Sequence, residues 1–232
     1  MRAVPLFAVR IIAVLMTAWL VGACSGAVTD PPRLEYTKFF KGSVPEYVSI
    51  SIEKSGQVTY KEAADDDRPI RFRMPSDQVT ELFALAGKLD NFTRALESPI
   101  KVAHMGFKTF RIADGAIKGE VKFNYSADPD ARELADRFER ITETEQDFIG
   151  LERAVKFDKL GVNQALLLVQ ITYEKKRLIA PEQFLPLLDR VIKNESYMHM
   201  SRERASSLAD VFRNPPAAKA EPAKTESDKT EK

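Results

Sequence analysis

The side chains best suited to metal or acid–base chemistry are few and far apart in this chain. His104 and His199 are its two histidines, and neither has another ligand-type residue at a useful metal-binding spacing. His199 lies between Met198 and Met200, and a sulfur-rich patch of this kind is a candidate for a soft metal such as Cu(I). Helix packing explains both methionines more simply. We therefore expect a surface or packing role for each histidine and predict no metal site.

Carboxylates are plentiful, but their spacing is not that of a known site. The run from Asp65 to Asp67 offers oxygen ligands to Ca²⁺, yet it lacks the alternating spacing and the closing glutamate of a calcium loop. A solvated hairpin loop is the preferred interpretation. Glu143, Glu145 and Asp147 fall on a predicted helix, where a solvated helix face explains them.

Nucleophilic catalysis and phosphate binding have no strong signature in the sequence. Ser76 is explained by helix capping, and neither a Gly-x-Ser-x-Gly motif nor a glycine-rich phosphate loop occurs. Two well-placed acids are enough for carboxylate catalysis, however, and spacing along the chain does not reveal such a pair. The sequence thus predicts no catalytic residue and leaves enzymatic activity open.

The first 24 residues have the pattern of an export signal. Arg2 and Arg10 make the start positive, and residues 11–21 are almost wholly apolar and carry no charge. This run is too short for a permanent membrane span, which needs ~20 apolar residues. A short apolar core between basic and small residues is typical of a cleaved secretory signal. Two small residues follow here, and Cys24 comes directly after them.

Leu20-Val21-Gly22-Ala23-Cys24 resembles the lipobox of bacterial lipoproteins. The resemblance covers the first 24 residues and implies that the Cys24 sulfur carries a diacylglyceryl group. It also implies that a signal peptidase cuts before Cys24 and that the new amino terminus is acylated. Two or more acyl chains anchor a protein stably, whereas one binds only marginally. An uncleaved anchor helix, or an ordinary signal that leaves a free thiol, are the alternatives.

The resemblance also gives a location. In some diderm bacteria an aspartate after the lipidated cysteine retains lipoproteins at the inner membrane. Ser25 stands at that position here, which favours the outer membrane, facing the periplasm. The membrane, reached through the lipid on Cys24, is therefore the first expected partner of the chain.

Composition limits the other partners. The chain has 35 basic and 34 acidic residues and a formal net charge of +1. Residues 1–23 contain Arg2 and Arg10 and no acid, so the mature chain would carry 33 basic and 34 acidic residues, a net charge of −1. Nucleic-acid binding normally shows as a strongly basic domain, and none is predicted. Because Cys24 is the only cysteine, its lipidation would leave no thiol for a disulfide or a metal. No cofactor is expected besides the covalent lipid.

Residues 34–141 are predicted to form an α+β domain behind a short tether, residues 24–33. Apolar and polar residues alternate as in half-buried strands, and turn signals at Gly56 and at Gly115 predict hairpins. The alternating segments are residues 47–52, 57–60, 70–74, 107–112 and 117–125. Helical spacing begins at two points, with Ser76 and Asp128 as the predicted N-caps. This order predicts an antiparallel sheet of β-hairpins with helices on one face.

The same arrangement resembles small secreted bacterial domains that remain uncharacterised. The residues that carry the resemblance are a glycine in a hairpin turn and then Ser76, which would cap a helix containing Gln78 and Val79. It implies a fold class and no activity. The hairpin–helix architecture is also similar to that of secreted protein inhibitors and small envelope-assembly lipoproteins, at the level of the fold alone.

The remainder of the chain is predicted to be helical and then unstructured. Residues 142–213 form a helical extension, a small bundle with short connections whose final helix runs from about Glu195 to Phe212. Residues 214–232 are rich in Pro, Ala, Lys and Glu and have no apolar periodicity, which predicts a disordered tail.

Two functions of different classes are consistent with these features. The first is a non-enzymatic lipoprotein of the bacterial cell envelope that binds another envelope protein or supports assembly, with exposed edge strands available for strand addition. The alternative is an envelope hydrolase or metal-handling protein of unfamiliar type. A deep pocket lined by paired acids or by both histidines would favour the alternative. A shallow surface with an uncovered apolar groove would favour the first.

Overall fold

A computed structural model of the protein describes residues 30–215. The predicted signal, the predicted lipid-attachment residue Cys24 and residues 216–232 of the predicted tail lie outside the described residues. Within residues 30–215, no helix combines the length and the apolar character needed to cross a bilayer.

Six strands form one antiparallel sheet in the order β4-β3-β2-β1-β5-β6. Their bounds are β1 (Arg33–Phe39), β2 (Tyr47–Glu53), β3 (Gln57–Lys61), β4 (Ile70–Arg73), β5 (Phe107–Asp114) and β6 (Ile117–Phe123). The predicted hairpins are present, and Gly56 closes the turn between β2 and β3 with a φ of +88°. A side chain there would be strained, and its Cβ would lie 2.8 Å from the Met74 carbonyl oxygen.

Among the described residues, one helix follows the first four strands, and four helices follow the last two. Their bounds are α1 (Ser76–Lys88), α2 (Pro129–Phe157), α3 (Val162–Glu174), α4 (Leu185–Lys193) and α5 (His199–Arg213), with short 3₁₀ turns at Asp90–Phe92 and Pro181–Phe184. The final helix therefore begins four residues later than the predicted start at Glu195. The predicted α+β class, with helices on one face of an antiparallel sheet and a helical segment at the C-terminal end, is confirmed.

The two predicted N-caps had different outcomes. Asp128 caps α2, since its side chain accepts hydrogen bonds from the backbone N–H groups of Asp130 and Ala131, and Pro129 is the first helical residue. The prediction for Ser76 is wrong. Pro75 occupies the cap position of α1, Ser76 is already helical, and no side chain caps that end.

Two apolar cores share helix α2. The first core lies between the sheet and α1 with the beginning of α2, where Tyr36 of β1 stacks on Phe138 at a ring-centroid distance of 4.7 Å. The second core lies between the end of α2 and helices α3, α4 and α5. Buried residues of α2 belong to the first core up to Ile141 and to the second from Leu151 onward. The predicted boundary between residues 141 and 142 therefore falls inside one continuous helix.

Candidate binding site

A polar cleft lies between α2, α3 and the loop that joins β1 to β2. It has a volume of about 560 Å³, which is in the range of small-molecule sites. Helix α2 contributes Glu139, Glu143 and Asp147, whose spacing of four residues places them on one face of the helix. The aliphatic part of the lining comes from residues on both sides of the cleft, Val44, Pro45, Val48, Leu168 and Ile171.

Glu139 joins α2 to the sheet. One of its oxygens accepts hydrogen bonds from the Tyr36 hydroxyl at 2.7 Å and from Lys38 Nζ at 2.9 Å, and the other accepts from Lys38 at 2.8 Å. Burial, followed by the Glu139 charge, raises the pKa of Tyr36. Burial also lowers the pKa of Lys108, which lies on β5 directly opposite Lys38 of β1. The Glu139 carboxylate is thus neutralised by a lysine and oriented by a buried hydroxyl.

Arg177 closes the opposite side of the cleft. Its guanidinium binds the Glu143 carboxylate through two nitrogens, at 2.5 and 2.9 Å, and it contacts Asp136 at 3.0 Å. Burial alone would raise the pKa of Asp136, but hydrogen bonds from Arg177 and Arg140 outweigh it and lower that pKa. This bidentate ion pair holds the segment after α3 against α2.

Among the described residues, Asp147 is the acid of the cleft that makes no salt bridge with a lysine or an arginine. Its carboxylate accepts a hydrogen bond from the Thr172 hydroxyl at 2.6 Å. Partial burial raises its pKa, the Thr172 bond opposes this effect, and the Glu143 charge adds to it. Asp147 can therefore accept a hydrogen bond from a molecule in the cleft or form an ion pair with a cationic group on it.

The prediction of a solvated helix face is wrong for Glu145. Its neighbours Glu143 and Asp147 line the cleft, but Glu145 is fully buried, with 0% of its surface exposed. Residues two apart on a helix point about 200° apart, so these three acids cannot share one face. Gln183 Nε2 donates to one Glu145 oxygen at 3.0 Å, and the other has no partner among the described residues. Burial raises the pKa of Glu145 to about 7.

The structure does not bring the other candidate residues together. His104 lies in the segment before β5, beside the rings of Phe40 and Phe107, and His199 lies at the start of α5, where it contacts Glu203 at 3.3 Å. The run from Asp65 to Asp67 lies in the β3–β4 loop. Within residues 30–215, no three His, Cys, Asp or Glu side chains are grouped as metal ligands.

The second candidate surface is the sheet face that turns away from the helices, here called the open face. Alternation along the strands places seven cationic and three acidic side chains on it, a net charge of +4. The cations are Arg33, Lys61, Arg71, Arg73, Arg111, Lys118 and Lys122, and the acids are Glu35, Glu53 and Glu120. Residues 30–215 as a whole contain 29 basic and 30 acidic side chains, so positive charge is concentrated on this face.

Strand register orders the open face into rows. One row, across β3, β2, β1, β5 and β6, has a lysine at each end and three hydroxyl side chains between them: Lys61, Ser49, Thr37, Thr109 and Lys122. Another row is aromatic, with Tyr47, Phe39 and Phe107 on neighbouring strands. The sequence predicted five of the six strands of the described residues, all except β1, but not these rows, because the rows depend on which strands pair.

Comparison with known proteins adds no identity. No family model matches the chain, and no curated protein matches it. The fold, the cleft and the open face are therefore the observations on which a function can be argued.

Proposed function

We propose that this protein is a lipoprotein of the bacterial cell envelope, attached through a lipid on Cys24 and located at the outer membrane facing the periplasm. We propose further that its described part is a non-enzymatic module that binds another envelope protein. The open face is the observation that carries this proposal. It is broad, polar and positively charged, whereas small molecules bind mostly in concave sites.

The charge of the open face suggests the chemistry of the partner. Seven cations against three acids favour an acidic protein surface, since complementary charge speeds association and excludes like-charged partners. Two of the open-face acids are paired within that face, Glu35 with Arg33 and Arg111, and Glu120 with Arg111, and the face keeps its surplus of cations. In the cleft, Glu139 is paired with Lys38, and Glu143 with Arg177. Those charges join α2 to its neighbours and are less available to a ligand.

Site-specific crosslinking in living bacteria tests the open face. A photo-reactive amino acid at Ser49, in the centre of the hydroxyl row, is expected to give one adduct of defined mass. The matched control is the same amino acid at Ser207, an exposed serine on α5, which should not give that adduct. Arg71→Glu combined with Arg73→Glu is expected to reduce the Ser49 adduct at least severalfold.

Two results would contradict a partner site on the open face. One is an equal adduct from Ser49 and Ser207. The other is a Ser49 adduct that persists unchanged in the Arg71→Glu, Arg73→Glu protein, provided that circular dichroism shows that protein to be folded.

The anchor has a separate test. Cys24→Ala is expected to block lipid attachment and signal cleavage, which leaves a larger precursor in the membrane fraction. Ser25→Ala is the matched control and should be processed normally. Normal processing and normal membrane attachment of the Cys24→Ala protein would refute the lipid anchor.

The alternative function, an envelope hydrolase, is favoured by one observation in the cleft. Asp147 is partly buried with a raised pKa, and a general acid must hold its proton near the working pH. A hydrolytic activity of the purified protein that Asp147→Asn abolished, and that Arg71→Glu left intact, would replace the binding module with this alternative.

A further inference from the structure

Half of the exposed large apolar side chains of the described chain lie at one end of the sheet. Twelve such side chains are exposed between residues 30 and 215, and six belong to this group. They are Phe39, Val44, Ile100, Val102, Met105 and Phe107. This group, here called the apolar end, is unexpected because exposed apolar residues are ordinarily scattered.

Strand pairing and loop contacts bring the group together. Phe39 ends β1 and pairs in register with Phe107, which begins β5. Val44 lies in the loop that leaves β1, and 92% of its surface is exposed. The segment before β5 is held by Asn124, which accepts from the Met105 N–H at 2.8 Å and donates to the Ala103 carbonyl at 3.2 Å. The apolar end is therefore a built surface.

Three lysines lie within or beside the apolar end. Lys41 and Lys101 are exposed within its two loops, and Lys122 Nζ lies 4.4 Å from the centre of the Phe107 ring. Glu46 is an acid of the β1–β2 loop, while residues 98–109 contain no acid. Apolar and aromatic side chains together with nearby lysines are the combination that binds the headgroup region of anionic membranes.

We propose that the apolar end rests in the headgroup region of an anionic phospholipid bilayer, the same membrane to which Cys24 attaches the chain. This inference rests on the proposed lipid anchor for its location. The contact would orient the domain, which a single-point tether alone leaves free to turn.

The length of the tether permits this contact. The eight residues from Ser25 to Pro32 span at most roughly 26–29 Å when extended. Strand β1 has seven residues and is roughly 20 Å long. A chain anchored at Cys24 can therefore enter β1 at Arg33 and still place Phe39, at the other end of the strand, on the membrane.

The anchor also explains why a small contact suffices. A lipid at Cys24 keeps the domain near the bilayer, so the second contact forms at high effective concentration. Six apolar side chains and three lysines would bind weakly from solution, but under this constraint they can hold an orientation.

A fluorescent label at Val44 tests the contact directly. Since Cys24 is the only cysteine, Cys24→Ser in the mature chain leaves no thiol, and Val44→Cys then carries a single environment-sensitive dye. An N-terminal polyhistidine tag on nickel-chelating lipid replaces the acyl anchor. Vesicles containing phosphatidylglycerol are expected to shift the dye emission to the blue and to reduce iodide quenching severalfold.

Leu160→Cys is the matched control, because Leu160 is also apolar and 75% exposed but lies in the turn after α2. Its dye is expected to remain unchanged on the same vesicles. An unchanged Val44 dye, or an equal change at both labels, would overturn the proposal. Lys41→Gln and Lys101→Gln should each weaken binding of the untagged chain to the vesicles about fivefold, and unaltered binding would also count against it.

The two proposals fail separately. The vesicle measurement needs no lipidation, whereas the Cys24→Ala experiment needs no vesicle contact. A shifted Val44 dye together with normal processing of Cys24→Ala would keep the membrane surface and remove the lipid anchor. An unshifted dye together with blocked processing would keep the anchor and remove the surface.

Discussion

Glu145 shows what a single buried carboxylate imposes on a helix. It has no exposed surface and one hydrogen-bond donor, Gln183, while its other oxygen is unpartnered among the described residues. An ionised carboxylate in such a place is costly, because burial removes water without supplying a counter-charge. This cost appears as the pKa of about 7.

The Glu145 pKa predicts a pH-dependent stability. The ordinary pKa of a glutamate side chain is 4.5, so between that pH and pH 7 the folded chain holds a proton that the unfolded chain has released. Stability therefore falls as pH rises through this window, by up to about 3 kcal/mol once pH exceeds 7. Glu145→Gln removes the ionisation, and urea unfolding at pH 8 is expected to show it more stable than the natural chain by a similar amount.

Measurements at low pH and at another glutamate provide the controls for Glu145. At pH 4 the Glu145→Gln and natural chains should have nearly equal stability, because both side chains are then uncharged. Glu152→Gln, on the exposed side of the same helix, removes an ion pair with Lys156 and should change stability by less than about 0.5 kcal/mol at either pH. A constant difference between pH 4 and pH 8 for Glu145→Gln would show that ionisation is not the cause.

At the residue scale, sequence reasoning succeeded where the partner is local. Asp128 bonds to N–H groups two and three residues ahead, and its role could be predicted from spacing. The partners of Glu139 and Glu143 lie on β1 and after α3, 101 and 34 residues away. No local pattern contains that pairing, although the four-residue spacing of Glu139, Glu143 and Asp147 does indicate a common helix face.

At the element scale, α2 is the helix on which both cores depend. It contributes Leu134 and Phe138 to the first core and Leu151 and Val155 to the second. A helix cannot easily remain folded at one end when the core at its other end is lost, since its backbone hydrogen bonds form cooperatively. The two cores are therefore expected to unfold together.

Calorimetry of two matched variants tests this coupling. Leu134→Ala in the first core and Leu188→Ala in the second each remove a fully buried side chain and should each cost about 2–5 kcal/mol. Both are expected to move one and the same unfolding peak to lower temperature. Two peaks, each sensitive to one substitution, would show that residues 142–213 unfold separately.

The strands were predictable because alternation is a strictly local signal. Val48, Ile50 and Ile52 alternate with polar residues and are buried in the structure. Which strands lie next to one another in the sheet was not predictable. Strand β1 pairs with β5, although all of α1 lies between them in the sequence. The start of α1 was misassigned at Ser76 because Pro75 already has a backbone conformation that can precede a helix.

At the scale of the whole molecule, the charge distribution is the feature that composition concealed. Residues 30–215 are nearly neutral, yet the open face carries a net charge of +4. The summed charge does not reveal this asymmetry, because only the paired strands show which lysines and arginines share a face.

The position of β1 has a mechanical consequence for a chain attached at its start. This strand lies inside the sheet and pairs over seven residues with β2 on one side and over seven with β5 on the other. Tension along β1 from a tether at Cys24 would load both ladders in shear, so many inter-strand hydrogen bonds would have to break together. An edge strand in the same place would peel away one bond at a time. A lipid anchor at Cys24 would therefore pull on a strand that is hydrogen-bonded along both of its edges.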